Sequence, residues 1–324
     1  MALVVTFALN EPQRAALAAA LPNVEIVGLA GLDSPARAAA LRRAAVVLAR
    51  NVDVELEEAE RPLLGGLKLL QFITAGVDYI RLSDMPANLA IACNGGAYAE
   101  PMAEHAVAMA FAAAKRLLVE HAALTRGEFN QFTPNRLLMG GVCGVLGFGG
   151  IGIATARRMR ALGLKLHAIN RGGRTSEPVD WIGTPERLDE LLAASDVLVI
   201  SLPLTRRTER LLGARELGLM KPDAILVNLA RGEIVDEAAL YAHLRANPRF
   251  TACIDAWWIE PVRHGRFAMD RPFLDLPNVI ASPHNSASVS GQRDMALSAA
   301  AANCARAFAG ETPRHLIGPD ERMR

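Results

Sequence analysis

Short apolar runs alternate with amphipathic or Ala-rich stretches along the whole chain. The first hundred residues contain five such runs, each bounded by polar or turn residues: Leu3–Ala8, Val24–Gly28, Ala45–Ala49, Leu67–Ile73 and Leu89–Cys93. Helices fit between them, and one is predicted to begin at Asp33-Ser34-Pro35, where a capping side chain precedes an early helical proline. This alternation predicts a small α/β domain with about five buried strands.

A second alternating series follows a long Ala-rich helical stretch over Ala99–Arg126, which Gly127 can end. Its predicted strands are Val142–Leu146, Lys165–Ile169, Val197–Ile200, Ala224–Asn228, Thr251–Asp255 and Val279–Ala281. Helices are predicted at Ile151–Leu162, Pro185–Ala194 and Glu237–Asn247, with a further long one at Ser286–Ala309. Six short apolar strands separated by helices predict a parallel sheet covered on both faces, as in a doubly wound dinucleotide fold.

Composition narrows the class of protein. Of the 324 residues 51% are hydrophobic and 21% charged, which excludes a disordered chain, and a net charge of +1 argues against a nucleic-acid or membrane-surface binder. The four cysteines are far apart, so neither a metal site nor a disulfide framework is expected. The N-terminus reads as a strand, and the apolar stretch Ala106–Ala114 is too short to span a bilayer. We therefore expect a cytoplasmic protein, with a polar tail over 310–324 that is poorly ordered at its end.

A glycine motif follows the first strand of the second series. The segment Gly147-Phe148-Gly149-Gly150-Ile151-Gly152 contains G-x-G-x-x-G between an apolar strand and an amphipathic helix, the context in which this motif binds a dinucleotide. The first glycine permits a tight turn, the second lets backbone approach a pyrophosphate, and the third lets helix and strand pack closely.

The end of the next strand bears on the choice of cofactor. An acidic residue would accept hydrogen bonds from the ribose of NAD, but the strand ends in Asn170, followed by Arg171 and then Arg174. A neutral residue beside arginines suits a 2′-phosphate, so NADP is favoured over NAD. The alternative is that both arginines are merely solvated in a loop.

Three further polar residues follow three consecutive predicted strands: Arg231, Glu260 and His284. Each has an ordinary structural explanation: a surface ion pair, a turn cap or a satisfied histidine. Because ligands bind at the carboxyl ends of strands in doubly wound sheets, their joint placement favours a catalytic site.

In its motifs and in their order along the sequence, the chain resembles the D-isomer-specific 2-hydroxyacid dehydrogenase family. The segments that carry the resemblance are Ile73–Asp78, Ala103–His105, Gly147–Gly152, Ser201–Thr205 with Thr208, Asn228–Asp236, Asp255–Pro261 and Ser282–His284. The resemblance implies a Rossmann cofactor domain at residues 99–285, inserted in a smaller flavodoxin-like substrate domain made of residues 1–98 and 286–324. It also implies a homodimer.

The resemblance also implies roles for single residues. Arg231 would bind the carboxylate and carbonyl of a 2-oxo acid through its forked N–H donors. His284 would protonate the developing alkoxide, and Glu260 would orient its imidazole. The backbone of Ala75, Gly76 and Val77 would bind the substrate carboxylate. The implied cofactor contacts, beyond the glycine motif with Asn170 and Arg171, are Leu202, Pro203, Thr208, Leu229, Ala230, Asp255 and His284.

Some features leave alternatives open. The stretch Val262–Asp270 is longer and more basic than the resemblance leads us to expect, and it either binds a second anionic group or forms a solvated loop. Trp257 and Trp258 either wall the active site or simply pack. Phe129 and Phe132 lie in a stretch able to reach across a dimer.

The expected function is reduction of a small 2-oxo acid, such as glyoxylate or hydroxypyruvate, with NADPH or NADH. One alternative keeps the fold but oxidises another small anion, of the phosphite or formate type. Formate oxidation needs no acid coupled to a carbonyl, so the pairing of Glu260 with His284 argues against it. The other alternative is a non-enzymatic protein that senses dinucleotides, because fold alone does not fix function.

Overall fold

A computed structural model describes residues 1–318 and 321–322. The chain divides into two compact units. Unit 1 comprises Met1–Tyr98 with Val289–Arg324, and unit 2 comprises Ala99–Ser288. The α/β class expected from the sequence is confirmed, because both units are built on parallel sheets.

Unit 1 contains a five-stranded parallel sheet. Its strands are β1 (Ala2–Val5), β2 (Glu25–Gly28), β3 (Ala44–Ala49), β4 (Leu69–Phe72) and β5 (Ile91–Ala92). They lie in the order β2-β1-β3-β4-β5. Helices α1 (Glu11–Ala20), α2 (Ser34–Arg43) and α3 (Val52–Glu55) connect the first strands. The Asp33 carboxylate accepts a hydrogen bond from the Ala36 N–H, so α2 begins where its cap and Pro35 predict.

The C-terminal helix Gln292–Phe308 completes unit 1. Leu297 and Cys304 on this helix are buried in the same apolar cluster as Leu3 and Leu48 of the sheet. Asn303, which is also buried, donates a hydrogen bond to Gln71 Oε1 on β4 at 2.6 Å. The two ends of the chain therefore share one core.

Unit 2 is a seven-stranded parallel sheet in the order β12-β11-β10-β9-β6-β7-β8. Its strands are β6 (Val142–Leu146), β7 (Lys165–Ile169), β8 (Trp181–Gly183), β9 (Val197–Ile200), β10 (Ile225–Asn228), β11 (Thr251–Ile254) and β12 (Val279–Ala281). Its helices are α4 (Ala99–Ala114), α5 (Leu117–Thr125), α6 (Gly150–Ala161), α7 (Leu188–Ala194), α8 (Ala214–Leu219), α9 (Glu237–Ala246) and α10 (Pro261–His264). The order in which successive strands are added to the sheet reverses between β6 and β9, and dinucleotides bind at such a switch point in doubly wound sheets.

Three expectations about the elements were wrong. The predicted helix Ala99–Arg126 is broken after Ala114, because Arg116 adopts a left-handed conformation with φ of 54°. The sheet gains a seventh strand, β8, whose three residues are too few for periodicity to detect. The last helix begins at Gln292 rather than Ser286, directly after Gly291 in a left-handed conformation.

Among the described residues, no helix has both the length and the apolar character needed to cross a membrane.

The C-terminal tail of unit 1 is bound to β5 through Ile317, whose N–H donates a hydrogen bond to the Ile91 carbonyl. The expectation of a poorly ordered end falls mainly on residues 319, 320, 323 and 324, which lie outside the described residues.

Candidate active site

The strands β10, β11 and β12 are neighbours, and their carboxyl ends carry the three predicted catalytic residues. Arg231 follows β10, Glu260 lies in the segment after β11, and His284 lies three residues after β12. Because all three strands are parallel, their exits lie along the same edge of the sheet.

His284 and Glu260 form a direct pair. The Nδ1 atom of His284 lies 2.8 Å from Glu260 Oε1 and 2.9 Å from Oε2. An ionised carboxylate can only accept hydrogen bonds, so we assign a proton to His284 Nδ1, which donates it to Glu260. The other ring nitrogen, Nε2, does not face this carboxylate, and 34% of the histidine side chain is exposed. This arrangement suits proton exchange with a ligand.

The Glu260 carboxylate is buried and charged. Burial by itself would raise the pKa of Glu260, but the surrounding hydrogen bonds and positive charges together outweigh it, and the largest of these is the hydrogen bond with His284. The Trp257 N–H, which donates to Glu260 Oε1 at 2.7 Å, and the positive charge of Arg231 also lower this pKa. The net result is a pKa below the ordinary value, so Glu260 remains ionised at neutral pH.

The backbone of His284 is left-handed, with φ of 51°. A non-glycine residue stays in that region only where its surroundings hold it. The His284 N–H donates to the Asp255 carbonyl at 2.9 Å, and the Asp255 carboxylate accepts hydrogen bonds from Ser282 Oγ at 2.5 Å and from the Asn285 N–H at 3.1 Å. His105 Nε2 lies 3.1 Å from Ser282 Oγ and extends this network to α4.

Asp255 is fully buried, at 0% exposure. The implied contact between Asp255 and the cofactor stays a prediction, and the observed partners of its carboxylate lie in the loop that carries His284. Its observed contacts therefore position that loop.

The two tryptophans pack against their surroundings. Trp257 donates from Nε1 to the Ser282 carbonyl, and Trp258 donates from Nε1 to the Val235 carbonyl, both at 2.8 Å. Trp258 also stacks on Phe273 with ring centroids 5.2 Å apart. Of the two alternatives left open by the sequence, packing describes the observed contacts, and these contacts brace the neighbouring loops.

The glycine motif has the shape that a pyrophosphate requires. Gly147 has φ of 100°, and an added Cβ there would lie 2.8 Å from the Leu202 backbone nitrogen. A Cβ on Gly152 would overlap the Gly147 carbonyl oxygen, so helix and turn are in close contact. Gly149 has open space around the position of a Cβ, and it begins α6 without a side-chain cap. The residues present therefore fit a dinucleotide at the N-terminus of this helix.

The other predicted cofactor residues lie in the loops that follow β7, β9 and β10. The Asn170 amide is used within its own turn, since it accepts from the Gly172 N–H and donates to the Arg174 carbonyl, while Arg171 and Arg174 are exposed. The hydroxyl of Thr208 closes the turn that begins at Pro203, donating to its carbonyl at 2.7 Å. The remaining three residues differ in exposure: Leu202 is half-buried, and Leu229 and Ala230 are buried.

The predicted substrate turn, Ala75, Gly76 and Val77, lies in unit 1, just beyond β4. The carbonyl of Ile73 before it accepts hydrogen bonds from Asn94 Nδ2 at 3.0 Å and from Tyr98 Oη at 2.7 Å. These bonds fix the start of the turn.

Glu233 has no role that the sequence predicts. It lies in the same motif as Arg231 and forms an ion pair with Arg263, and the basic character of Val262–Asp270 was the only signal of such a partner. Within residues 1–318 and 321–322, no group of three or more His, Cys, Asp or Glu side chains is placed to hold a metal ion.

The lowered pKa of Glu260 predicts a pH-dependent contribution to stability. Glu260→Gln keeps the size but removes the charge, and we expect the free energy of unfolding at pH 7 to fall by about 2 kcal/mol. Because the folded pKa lies below the unfolded value, the contribution is complete above about pH 4.3 and is lost as pH falls through the folded pKa. Urea unfolding of both proteins across this range measures it. Glu209→Gln, at an exposed site, is the control; an equal difference at pH 7 and pH 3 would contradict the prediction.

Comparison with known proteins gives the family. The model of the D-isomer specific 2-hydroxyacid dehydrogenase, NAD binding domain, matches residues 107–286. A D-3-phosphoglycerate dehydrogenase of Archaeoglobus fulgidus is 33% identical over 73% of this chain, but the match spans only 44% of that protein. A glyoxylate/hydroxypyruvate reductase B of Pectobacterium carotovorum is 34% identical over 68% of this chain and 69% of its own length.

A solved structure agrees with these relatives. The D-isomer specific 2-hydroxyacid dehydrogenase from Xanthobacter autotrophicus Py2, in complex with NADPH and MES, is 26% identical with a TM-score of 0.79, over 99% of both chains. The enzyme class expected from the sequence is thus confirmed at the level of the family, together with a nicotinamide cofactor domain. The chain belongs to the D-isomer-specific 2-hydroxyacid dehydrogenase family.

Proposed function

We propose that this protein reduces a small 2-oxo acid to the D-2-hydroxy acid with a nicotinamide cofactor, glyoxylate or hydroxypyruvate being favoured. The pair formed by His284 and the buried Glu260, on the sheet edge that also carries Arg231, is the observation that carries the proposal. A base or acid held by a third group beside a fixed cation suits reduction of an anionic carbonyl compound.

Each of these side chains has one task in the proposed mechanism. The guanidinium of Arg231 binds the substrate carboxylate and polarises the adjacent carbonyl. His284 donates a proton from Nε2 to the carbonyl oxygen, while Glu260 holds Nδ1–H and stabilises the imidazolium before transfer. The reduced nicotinamide, when bound, supplies the hydride that the carbonyl carbon accepts. In the oxidative direction, the same nitrogen of His284 removes the hydroxyl proton.

The substrate is proposed to carry a single anionic group. A second group, such as a phosphate, would need a further cation, and Arg263 was one candidate. Both of its terminal nitrogens instead contact Glu233, which removes Arg263 from that task. This supports the smaller acids named for the Pectobacterium relative over the phosphorylated acid named for the Archaeoglobus relative. The part of Ala75, Gly76 and Val77 in substrate binding stays a prediction.

The cofactor is proposed to be NADP, held by the glycine motif with its 2′-phosphate near Arg171. The turn after β7 begins with the neutral Asn170 where an NAD-binding site would have an acidic residue, and its exposed arginines supply positive charge. The Xanthobacter neighbour was solved with NADPH, which supports this choice. Leu202, Pro203, Thr208, Leu229 and Ala230 are proposed to line the same site, and a cytoplasmic location stays a prediction.

The preference for NADPH predicts a charge-reversal effect. Arg171→Asp places a negative charge where a 2′-phosphate would lie, so we expect kcat/KM for NADPH to fall at least about tenfold. The value for NADH should change by less than about twofold, because NADH has no phosphate there. Steady-state kinetics with both cofactors measures the ratio. Arg245→Asp, an equal change at an exposed site on α9, is the control; an unchanged ratio in Arg171→Asp would reject the NADP assignment.

A homodimer is also proposed, with α5 and the following segment as its contact surface. Large apolar side chains there are 50–91% exposed: Leu117, Leu118, Leu124, Phe129, Phe132, Leu137 and Met139. Such a concentration is typical of an interface. We expect a dimer in sedimentation and a monomer for Phe132→Asp, whereas Leu274→Asp, at an exposed apolar residue elsewhere, should remain dimeric. A monomeric natural protein would contradict the proposal.

The proposed activity is tested with a panel of 2-oxo acids, following oxidation of NADPH and NADH. For the best substrate, His284→Ala should lower kcat at least about 100-fold, because positioned proton transfer contributes about that much. Ser288→Ala, at an exposed residue of the same loop, is the matched control. Absence of turnover with every 2-oxo acid would reject the function, and full activity of His284→Ala would reject the mechanism.

A further inference from the structure

The segment after Glu260 has a feature that the proposed chemistry does not use. It forms the single-turn helix α10, and Gly265 ends it in a left-handed conformation with φ of 70°. Arg263 on this turn is buried, with only 7% of its side chain exposed, although its neighbours Val262 and Arg266 are exposed. A buried arginine within an exposed loop requires a specific partner.

That partner is Glu233. Arg263 Nη2 lies 2.6 Å from Glu233 Oε1, and Nη1 donates to Oε2 at 2.9 Å, so the pair is bidentate. Glu233 follows Arg231 by two residues, and Arg263 follows Glu260 by three. The ion pair therefore joins the segment of the substrate-binding cation to the segment of the supporting carboxylate.

The same two segments touch at other points. A Cβ on Gly232 would overlap the backbone of Trp257 and Trp258, so the two backbones are in close contact there. Trp258 Nε1 donates to the Val235 carbonyl at 2.8 Å. Within α10, the Glu260 N–H donates to His264 Nδ1 at 3.0 Å. These contacts hold the two segments close together. The ion pair also fixes their relative orientation, because a guanidinium and a carboxylate pair in one plane, which apolar packing does not require.

We propose that Arg263 is a positioning residue: its bidentate pair with Glu233 holds the segment of Glu260 in register with the segment of Arg231. The proposal rests on the proposed function for its kinetic consequence. Removal of the pair lets the carboxylate of Glu260 shift relative to Arg231, and His284 shifts with its partner. Small displacements of this kind are enough to lower a rate strongly.

The test begins with Arg263→Met, which keeps much of the buried side-chain volume. We expect kcat/KM for the 2-oxo acid to fall by about 100-fold. Hydrogen–deuterium exchange should become faster in residues 231–235 and 257–264 and remain unchanged in β6 and α6. Arg266→Met, on the same loop but exposed, should match the natural protein in both measurements. Arg263→Lys keeps the charge without the fork and should recover part of the activity.

A double variant separates positioning from simple stabilisation. Arg263→Met leaves the buried charge of Glu233 unpaired and should lower the melting temperature, whereas Arg263→Met/Glu233→Met should restore it. If the pair positions Glu260, the double variant regains stability but not kcat/KM. Recovery of both, or an unaltered kcat/KM in Arg263→Met, would overturn the proposal. Failure of the proposed function is distinguishable, because the natural protein would then show no turnover, while the exchange pattern still tests the pair.

Discussion

The buried carboxylate of Glu260 is the constraint around which the end of the sheet in unit 2 is organised. A charge in such surroundings is costly unless hydrogen bonds and an opposite charge compensate it. Two donors that supply this compensation are His284 Nδ1 and the Trp257 N–H. The geometry that makes the carboxylate tolerable is therefore also the geometry that orients the imidazole, so stability and proposed catalysis have the same origin.

A second buried carboxylate, that of Asp255, has a different task. It lies directly after β11 and accepts hydrogen bonds from the loop after β12, which carries His284 in a left-handed conformation. A strained backbone conformation of this kind persists where several surrounding contacts hold it in place. One strand end thus supplies both the side chain that orients the imidazole and the side chain that shapes its loop.

Close packing sets the remaining geometry. Gly152 allows α6 to approach the turn after β6, and Gly232 allows the Arg231 segment to lie against the two tryptophans. In both places a methyl group would overlap backbone atoms, which cannot move away as a flexible side chain can. The same small residue therefore supports the turn of the glycine motif in one place and the segment of Arg231, proposed to bind substrate, in another.

Much of the fold of this protein could be predicted from the sequence alone. Apolar runs such as Val142–Leu146 gave strand positions, since buried parallel strands need continuous hydrophobic residues, and the glycine motif gave the dinucleotide fold. Local pattern did not give the break at Arg116, the short edge strand β8, or the partner of Arg263. Glu233 and Arg263 are distant in the chain, and each resembles an ordinary surface charge there. Only the parallel order of β10 and β11 brings them together, because contacts between separate strand ends depend on how the whole sheet is assembled.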